Sequence, residues 1–231
     1  MLHATIRAPG LHKRSYVRTR RAVKKMSHDL ATHSTCINDV PAHRVVSSRW
    51  AESRWPEMAH VCYPHEVKPA KKFRDIVDVF AGEGLTSIIA DEMYDPQSCT
   101  ALEGRHAEYD ILEFFLSCDD KGDRITPLKG DPRTVRFQEP VCDLLLFGDA
   151  LTHLEDTECL TICRRMLNAV RPGGAISLYS PFGPGASRLV HNTLNADKLQ
   201  YYFHPYVPVM SLRVPGYLIA VVEVGYELPE W

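Results

Sequence analysis

The chain has 231 residues, 45% of them apolar and 24% charged, with a formal net charge of -2; this length suits one large α/β unit or a domain with an extension. That balance gives no overall pull toward nucleic acid or membrane. Seven cysteines without a CxxC pair, and no apolar run near the roughly 20 residues of a spanning helix, argue against a disulfide framework or membrane span and for reduced thiols inside a cell.

Residues 1–70 read as a basic, helical extension. They hold seven of the eleven histidines and two of the three tryptophans, and eight Lys and Arg residues precede the first acid, Asp29. Val23, Met26 and Leu30 predict a helix around 16–32 with one apolar stripe. "SSRWAESRWPEM" predicts a second, short helix stopped near Pro56, and "YPHEVKPAKKF" a Pro- and Lys-rich connector. The start lacks the apolar core of a secretory signal. A basic, acid-free start is compatible with a mitochondrial presequence, so the expected compartment is the cytoplasm, with the mitochondrial matrix as the alternative.

Residues 71–231 read as a second domain in which strands and helices alternate. "IVDVF" predicts a buried strand, "LTSIIADEMY" a helix ending before Pro96, and "SCTALEG" a second strand. "HAEYDILEFFLS" predicts a helix with Tyr109, Leu112, Phe115 and Leu116 on one side. "DRITPLKGD" and "CDLLLFGD" predict the third and fourth strands. In "EDTECLTICRRMLNAV", Cys159, Leu160, Cys163, Met166, Leu167 and Val170 fall at helical spacing. "RPGG" is expected to break that helix before a fifth strand, "AISLYS". "PVMSLRV" and "YLIAVVEV" flank Pro215-Gly216 as an antiparallel hairpin. The expected architecture is a doubly wound, mainly parallel seven-stranded sheet with a C-terminal antiparallel hairpin.

The stretch "DIVDVFAGEGLTS" puts an acid, Asp78, and two glycines, Gly82 and Gly84, at the mouth of the first strand. In such sheets ligands bind at the carboxyl ends of strands where their order reverses, and glycines let backbone approach a ligand. A dinucleotide loop needs G-x-G-x-x-G so that pyrophosphate can sit on a helix N-terminus. Here the third position is Ser87, and an anionic ligand does not call for Asp78. A phosphate-free adenosine compound with a cationic end suits the stretch better.

From about 74 to 225 the chain resembles the class I S-adenosylmethionine-dependent methyltransferases. The first-strand motif matches Asp78-Val-Phe80-Ala81-Gly82-Glu-Gly84, with an alanine where a glycine is commoner. Glu103, followed by Gly104, closes the second strand 19 residues after Gly84; the resemblance implies that it holds both ribose hydroxyls, since a carboxylate accepts several hydrogen bonds. Asp131, before Pro132, matches the residue beside the adenine amino group. "CDLLLFGDALTHLED", with Gly148 and Asp149, resembles the fourth strand and the loop facing the transferred methyl. "RMLNAVRPGGAISLYS" resembles the helix, turn and fifth strand that follow. The resemblance implies S-adenosyl-L-methionine as cofactor and no metal.

Each residue has a plainer reading. Asp78 could cap a strand end, Glu103 could be a solvated acid, and Asp131 could shape the turn at Pro132. Gly173 and Gly174 read as the glycines that end a helix. Tyr179 could line the pocket, with core packing the alternative. For catalysis, Asp149 and His153 lie after the fourth strand, and His153 is the base candidate at neutral pH; its alternative is a histidine packed at a helix start. The expected acceptor is a small molecule. The alternative is RNA of the cap guanine N7 type, held through phosphates by the basic arm. "AISLYS" lacks the lysine expected of ribose 2′-O-methylation, and "GDALTH" lacks the Asn/Asp-Pro-Pro-aromatic motif of amino methylation. Trp50, Trp55, Tyr63 and the histidines at 43, 60 and 65 could form a lid on the acceptor or simply pack on the sheet, and those histidines are too irregular for a zinc site. A non-catalytic binding module that keeps the fold is the third hypothesis.

Overall fold

A computed structural model describes residues 73–82, 84–118, 124–148, 150–181, 192–214 and 217–225. The helices expected over residues 16–32 and 47–58, the candidate lid residues, the basic arm and Asp149 lie outside the described residues. The elements in order are β1 (Asp75–Val79), α1 (Leu85–Tyr94), β2 (Ser98–Glu103), α2 (His106–Cys118), β3 (Ile125–Lys129), β4 (Cys142–Leu146), a 3-10 turn (Ala150–His153), α3 (Asp156–Leu167), β5 (Val170–Pro181), α4 (Ala196–Phe203), β6 (Val209–Val214) and β7 (Tyr217–Glu223).

The strands form one sheet in the order β3-β2-β1-β4-β5-β7-β6. Five pair in parallel, while β7 runs antiparallel to both β5 and β6. The chain lays down β1 to β3 outward in one direction, then returns to β1's other side with β4 and β5. Because parallel crossovers are right-handed, this reversal sends the helices of the two halves to opposite faces. β1 and β4 flank the switch point, where open α/β sheets form a crevice at their carboxyl ends.

The strands are apolar because both faces are covered: Ile76, Val77 and Val79 in β1 and Leu144, Leu145 and Leu146 in β4 are all buried. Helix α3 shows how local chemistry sets an end. Asp156 and Glu158 stand in its first turn and Arg164 and Arg165 in its last, the signs that favour a helix dipole. The Glu155 N–H donates to Glu158 Oε2 at 3.2 Å. Its buried stripe is Cys159, Ile162, Cys163, Met166 and Leu167, with Leu160 only partly covered.

The fifth strand corrects the sequence reading. The helix stops at Leu167, and Val170 already belongs to β5. Arg-Pro-Gly-Gly is not the helix stop but a bulge inside the strand: Cys142 pairs Val170, and Leu144 pairs Ala175. Gly173 takes φ 80°, and a Cβ on Gly174 would stand 2.7 Å from the Arg171 carbonyl oxygen. The glycines are therefore needed by the bulge. It turns the Arg171 guanidinium onto Asp75 at 2.6 Å and Asp143 at 3.2 Å, tying three strands together at their other end.

Helix α4 has no counterpart in the sequence reading. Asn195 Oδ1 caps it by accepting the Lys198 N–H at 2.9 Å, and Leu199, Tyr202 and Phe203 are buried. It is anchored by a buried polar group, Asn192. That side chain donates through Nδ2 to Tyr202 Oη at 3.2 Å and to Cys159 Sγ at 3.4 Å. Its Oδ1 accepts from Lys198 Nζ at 2.6 Å, and its own N–H reaches the Thr152 carbonyl at 2.9 Å. Asp156 Oδ1 accepts from both Lys198 and Tyr202. The network binds α4 to α3 and to the 3-10 turn after β4.

Candidate functional site

The crevice is built from the exits of β1, β2 and β4. As β1 ends, Phe80 adopts φ 59°, Gly82 φ 57° and Gly84 φ 84°. The Ala81 N–H donates to the Leu102 carbonyl at 3.0 Å and the Gly84 N–H to the Ala81 carbonyl at 2.9 Å. The loop is thus pinned to β2 on one side and wound into α1 on the other. Gly84 is the residue just before that helix.

The two glycines do different work. A Cβ at Gly82 would meet nothing within 4 Å, whereas one at Gly84 would stand 2.4 Å from Leu112 Cδ1. Gly82 therefore faces open space, and Gly84 is favoured by its left-handed φ and by the Leu112 side chain, whose tip would have to shift for a Cβ. Gly104 is also a packing glycine, since its Cβ would lie 2.8 Å from Asp131 Cα. The sequence reading placed Gly84 and Gly104 with the ligand-binding residues; the geometry gives both a structural reason first.

Glu103 ends β2 with its side chain fully buried. Its Oε2 accepts the Gly82 N–H at 2.8 Å, and Oε1 accepts the Arg105 N–H at 2.8 Å and Arg105 Nε–H at 3.2 Å. It is not a solvated acid. The carboxylate fixes the glycine loop, and the mostly exposed Arg105 side chain bridges it to Glu108 at 3.2 Å. A carboxylate offers about four acceptor positions, so three N–H donors leave one, and an exposed Arg105 can yield another.

Asp78 lies deeper than the sequence suggests. It is 1% exposed and accepts the Ser87 hydroxyl at 2.7 Å. Burial pushes its carboxyl up to about 7; the Ser87 hydrogen bond opposes that rise, and the charge of Glu103 adds to it. The fold thus brings these two acids within electrostatic reach, with Asp78 beneath the loop and not lining an open edge. Ser87, in the first turn of α1, is the hydrogen-bond partner of Asp78, a role the sequence reading did not give it.

Asp131 follows β3 and shapes a turn. Its Oδ1 accepts the Arg133 N–H at 2.9 Å, and Arg133 Nε lies 3.0 and 3.1 Å from its two oxygens. Hydrogen bonding from Arg133 holds this carboxyl below the usual range, against partial desolvation. Pro132 beside it is buried.

Beyond β4, Gly148 takes φ 56°, and its carbonyl accepts the Tyr179 N–H at 2.9 Å. Tyr179 is 1% exposed, a core residue under this loop and not a pocket wall. His153 stands exposed at the end of the 3-10 turn, behind the buried Leu151 and Thr152. Since Asp78 pairs Leu146 across the two strands, Phe80 and Gly148, each two residues on, leave the sheet at the same level.

Phe80 is the unusual member of this group. A left-handed φ costs a residue with a Cβ about 1–2 kcal/mol, and glycine would carry no such strain. The ring is partly buried and packs against the core cluster that includes Val79, Phe147 and Leu151.

The described residues contain no cluster of His, Cys, Asp and Glu able to hold a metal. Among them no helix is long and apolar enough to cross a membrane.

No protein-family model matches the sequence. Over 162 residues it is 28% identical to acetylserotonin O-methyltransferase of Mus musculus, covering 67% of this chain and 41% of that protein. The chain therefore spans about two-fifths of the length of the curated relatives it matches. Among solved structures it is similar to the S-adenosylmethionine-dependent methyltransferase SibL, with TM-score 0.63 and 14% identity over 92% of this chain and 69% of that one. It is similar to the N-methyltransferase NodS of Bradyrhizobium japonicum, with TM-score 0.57 and 13% identity over 75% of this chain and 96% of that one. Human N-acetylserotonin methyltransferase, solved with SAM, aligns with TM-score 0.55 and 16% identity over 92% of this chain and 67% of that one. With its strand order, reversal point and glycine loop, the chain has the class I S-adenosylmethionine-dependent methyltransferase fold.

Proposed function

We infer that the protein is an enzyme that transfers a methyl group from S-adenosylmethionine to a small-molecule acceptor. The observation that carries this reading is the Gly82 corner. Its backbone N–H is locked onto buried Glu103, and the space a Cβ would fill is open. Two buried acids underlie the loop, and whatever negative charge they carry disfavours a pyrophosphate and favours a ligand with a cationic end. Similarity to a mouse protein named as an O-methyltransferase supports a small acceptor. In this reading residues 71–231 form the cofactor-binding domain.

When bound, S-adenosylmethionine supplies a methyl carbon already activated by its sulfonium leaving group. The chain's task is then alignment and exclusion of water. Glu103 would accept the ribose hydroxyls through the position its three N–H donors leave and the one Arg105 can release. Gly82 would admit the ligand against bare backbone. Asp131 and Pro132 would border the adenine, with the Arg133-bound carboxylate fixing that turn. Asp78 would act from beneath, through Ser87 and the loop. His153 would take the proton of a hydroxyl acceptor as attack proceeds.

The test is transfer of labelled methyl from S-adenosylmethionine to a panel of small hydroxyl- and amine-bearing compounds, with capped and uncapped RNA run in parallel. The reading expects label in the small-molecule pool. Label confined to RNA would replace the acceptor assignment, and absence of both cofactor binding and transfer would contradict the enzyme reading.

A further inference from the structure

The 3-10 turn after β4 is short, and its own backbone bonds are long. The Ala150 N–H reaches the Phe147 carbonyl at 3.2 Å and the Leu154 N–H reaches the Leu151 carbonyl at 3.5 Å. Leu151 and Thr152 are nonetheless buried at its centre, where a carbonyl without a good donor is costly. Each of those two carbonyls is met from outside the turn. The Thr152 carbonyl accepts the Asn192 N–H at 2.9 Å. The Leu151 carbonyl accepts the Cys159 thiol at 3.3 Å, with the Leu154 carbonyl farther off at 3.8 Å. The place of the turn is therefore dictated by α3 and by the residue that leads toward α4.

Asn192 joins these supports, and chemistry fixes the direction of its bonds. A lysine ammonium can only donate, so the Asn192 oxygen must be the atom that faces Lys198 Nζ at 2.6 Å. The amide NH2 then faces Tyr202 Oη at 3.2 Å and Cys159 Sγ at 3.4 Å. Tyr202 gives its own proton to Asp156 Oδ1 at 2.5 Å, which leaves a lone pair for Asn192. Cys159 receives an N–H, and its S–H is left for the Leu151 carbonyl. Burial pushes that thiol up to about 11, against the opposing Asn192 hydrogen bond, so it stays a protonated donor at neutral pH. Asn192 is thus a buried side chain with both amide hydrogens and its oxygen matched. Such a network specifies one arrangement of its elements, where apolar packing alone would let them slide.

The residue after Thr152 is His153, exposed at the end of the turn. On the reading above it takes the acceptor's proton, a step that needs hydrogen-bond reach and suffers steeply from a displacement of about 1 Å. We propose that Asn192 is a positioning residue for methyl transfer: with Cys159 it fixes the turn that carries His153. This rests on the methyltransferase reading with His153 as base, and adds to it what holds that base in place. Asn192 acts through Thr152 and Cys159, not on the reacting atoms.

Two measurements on the full chain test this. The first is amide hydrogen exchange in Asn192→Leu, which keeps an apolar side chain of similar size and removes the amide group. The amides of Leu154 and of position 192 are expected to exchange at least about tenfold faster, with those of the β1–β2 pairing unchanged. The second is a double-mutant cycle on single-turnover transfer to the hydroxyl compound that takes most label in the panel above. Asn192→Leu is expected to slow transfer about tenfold, with S-adenosylmethionine affinity within about twofold, and to cause no further loss when added to His153→Ala. Cys159→Ala should follow the same pattern, while Cys159→Ser, which keeps a donor, should recover most of the rate. These two variants carry the comparison if Asn192→Leu fails to fold. Equal proportional losses in both backgrounds, unchanged turn amides, or a His153→Ala variant as fast as wild type would overturn the proposal and leave the methyltransferase reading standing. A wild-type chain that neither binds S-adenosylmethionine nor transfers label would overturn both.

Discussion

Replacing Glu103 by alanine removes the acceptor for three N–H groups at once, on Gly82 and twice on Arg105. Arg105 is mostly exposed, so water replaces much of what its side chain loses. The Gly82 N–H is partly buried and holds the loop in shape; leaving such a donor unpaired costs about 1–3 kcal/mol. A stability loss of that size is expected in urea unfolding. The effect on S-adenosylmethionine comes on top of it. Hydrogen bonds to a charged group contribute about 1.5–3 kcal/mol, which corresponds to a roughly 10- to 150-fold rise in Kd. Glu103→Gln separates charge from shape: its amide oxygen can face only one set of donors, and its NH2 must then meet the other. It should therefore bind cofactor nearly as poorly as the alanine variant. Calorimetry on folded variants reads this directly. Unchanged affinity in either variant would refute the assignment of Glu103 to the ribose.

Asp78 predicts a pH dependence of stability. Its carboxyl is raised from 3.8 to about 7 in the folded chain, so below pH 4 both states are protonated and nothing is lost. Between about pH 4 and 7 the unfolded chain gives up a proton that the folded chain keeps, and stability falls as pH rises, by an amount on the order of 4 kcal/mol in total. Asp78→Asn removes this slope, so urea midpoints of the two proteins should converge or cross across that range; parallel curves would contradict the account. The glycines make a paired prediction. Gly84→Ala, driven toward Leu112, should destabilise the fold, whereas Gly82→Ala should cost only about 1 kcal/mol of backbone strain and act mainly on cofactor affinity. The opposite pattern in melting and titration would reverse the roles given to them. Asn192→Ala should lower stability by about 1–3 kcal/mol by emptying the α3–α4 network, and a neutral result in urea would show that network to be dispensable. His153→Ala should lower the transfer rate and leave cofactor Kd unchanged, which single-turnover assays and titration separate.

Much of this was legible from the chain alone, because strands covered on both faces and amphipathic helices leave distinct periods. The helix "LTSIIADEMY" stands with the bounds that its apolar run and Pro96 implied. Glu103 is reached through the family resemblance, which places an acid at the end of the second strand; its spacing alone leaves a solvated acid open. Other features could not be read locally. Arg-Pro-Gly-Gly has the composition of a helix stop, and only pairing with β4 and β7 turns it into a bulge. Helix α4 spans 8 residues, too short for a period to stand out, and its cap Asn195 and anchor Asn192 acquire meaning only through partners elsewhere. Asp78 looked like an acid at an open mouth because sequence does not show which way a strand-end side chain turns. Ser87 and Arg105 looked unremarkable until the fold set them on the two carboxylates. The φ of Phe80 is a tertiary imposition that no local preference would suggest.

The central claim is that the crevice between β1 and β4 takes a phosphate-free adenosine compound with a cationic end. Titration of the full chain with S-adenosylmethionine, and separately with a nicotinamide dinucleotide, tests it most directly. The account predicts saturable binding of the first, abolished or strongly weakened by Glu103→Ala, and none of the second. Binding of the dinucleotide, with S-adenosylmethionine left in solution, would contradict it.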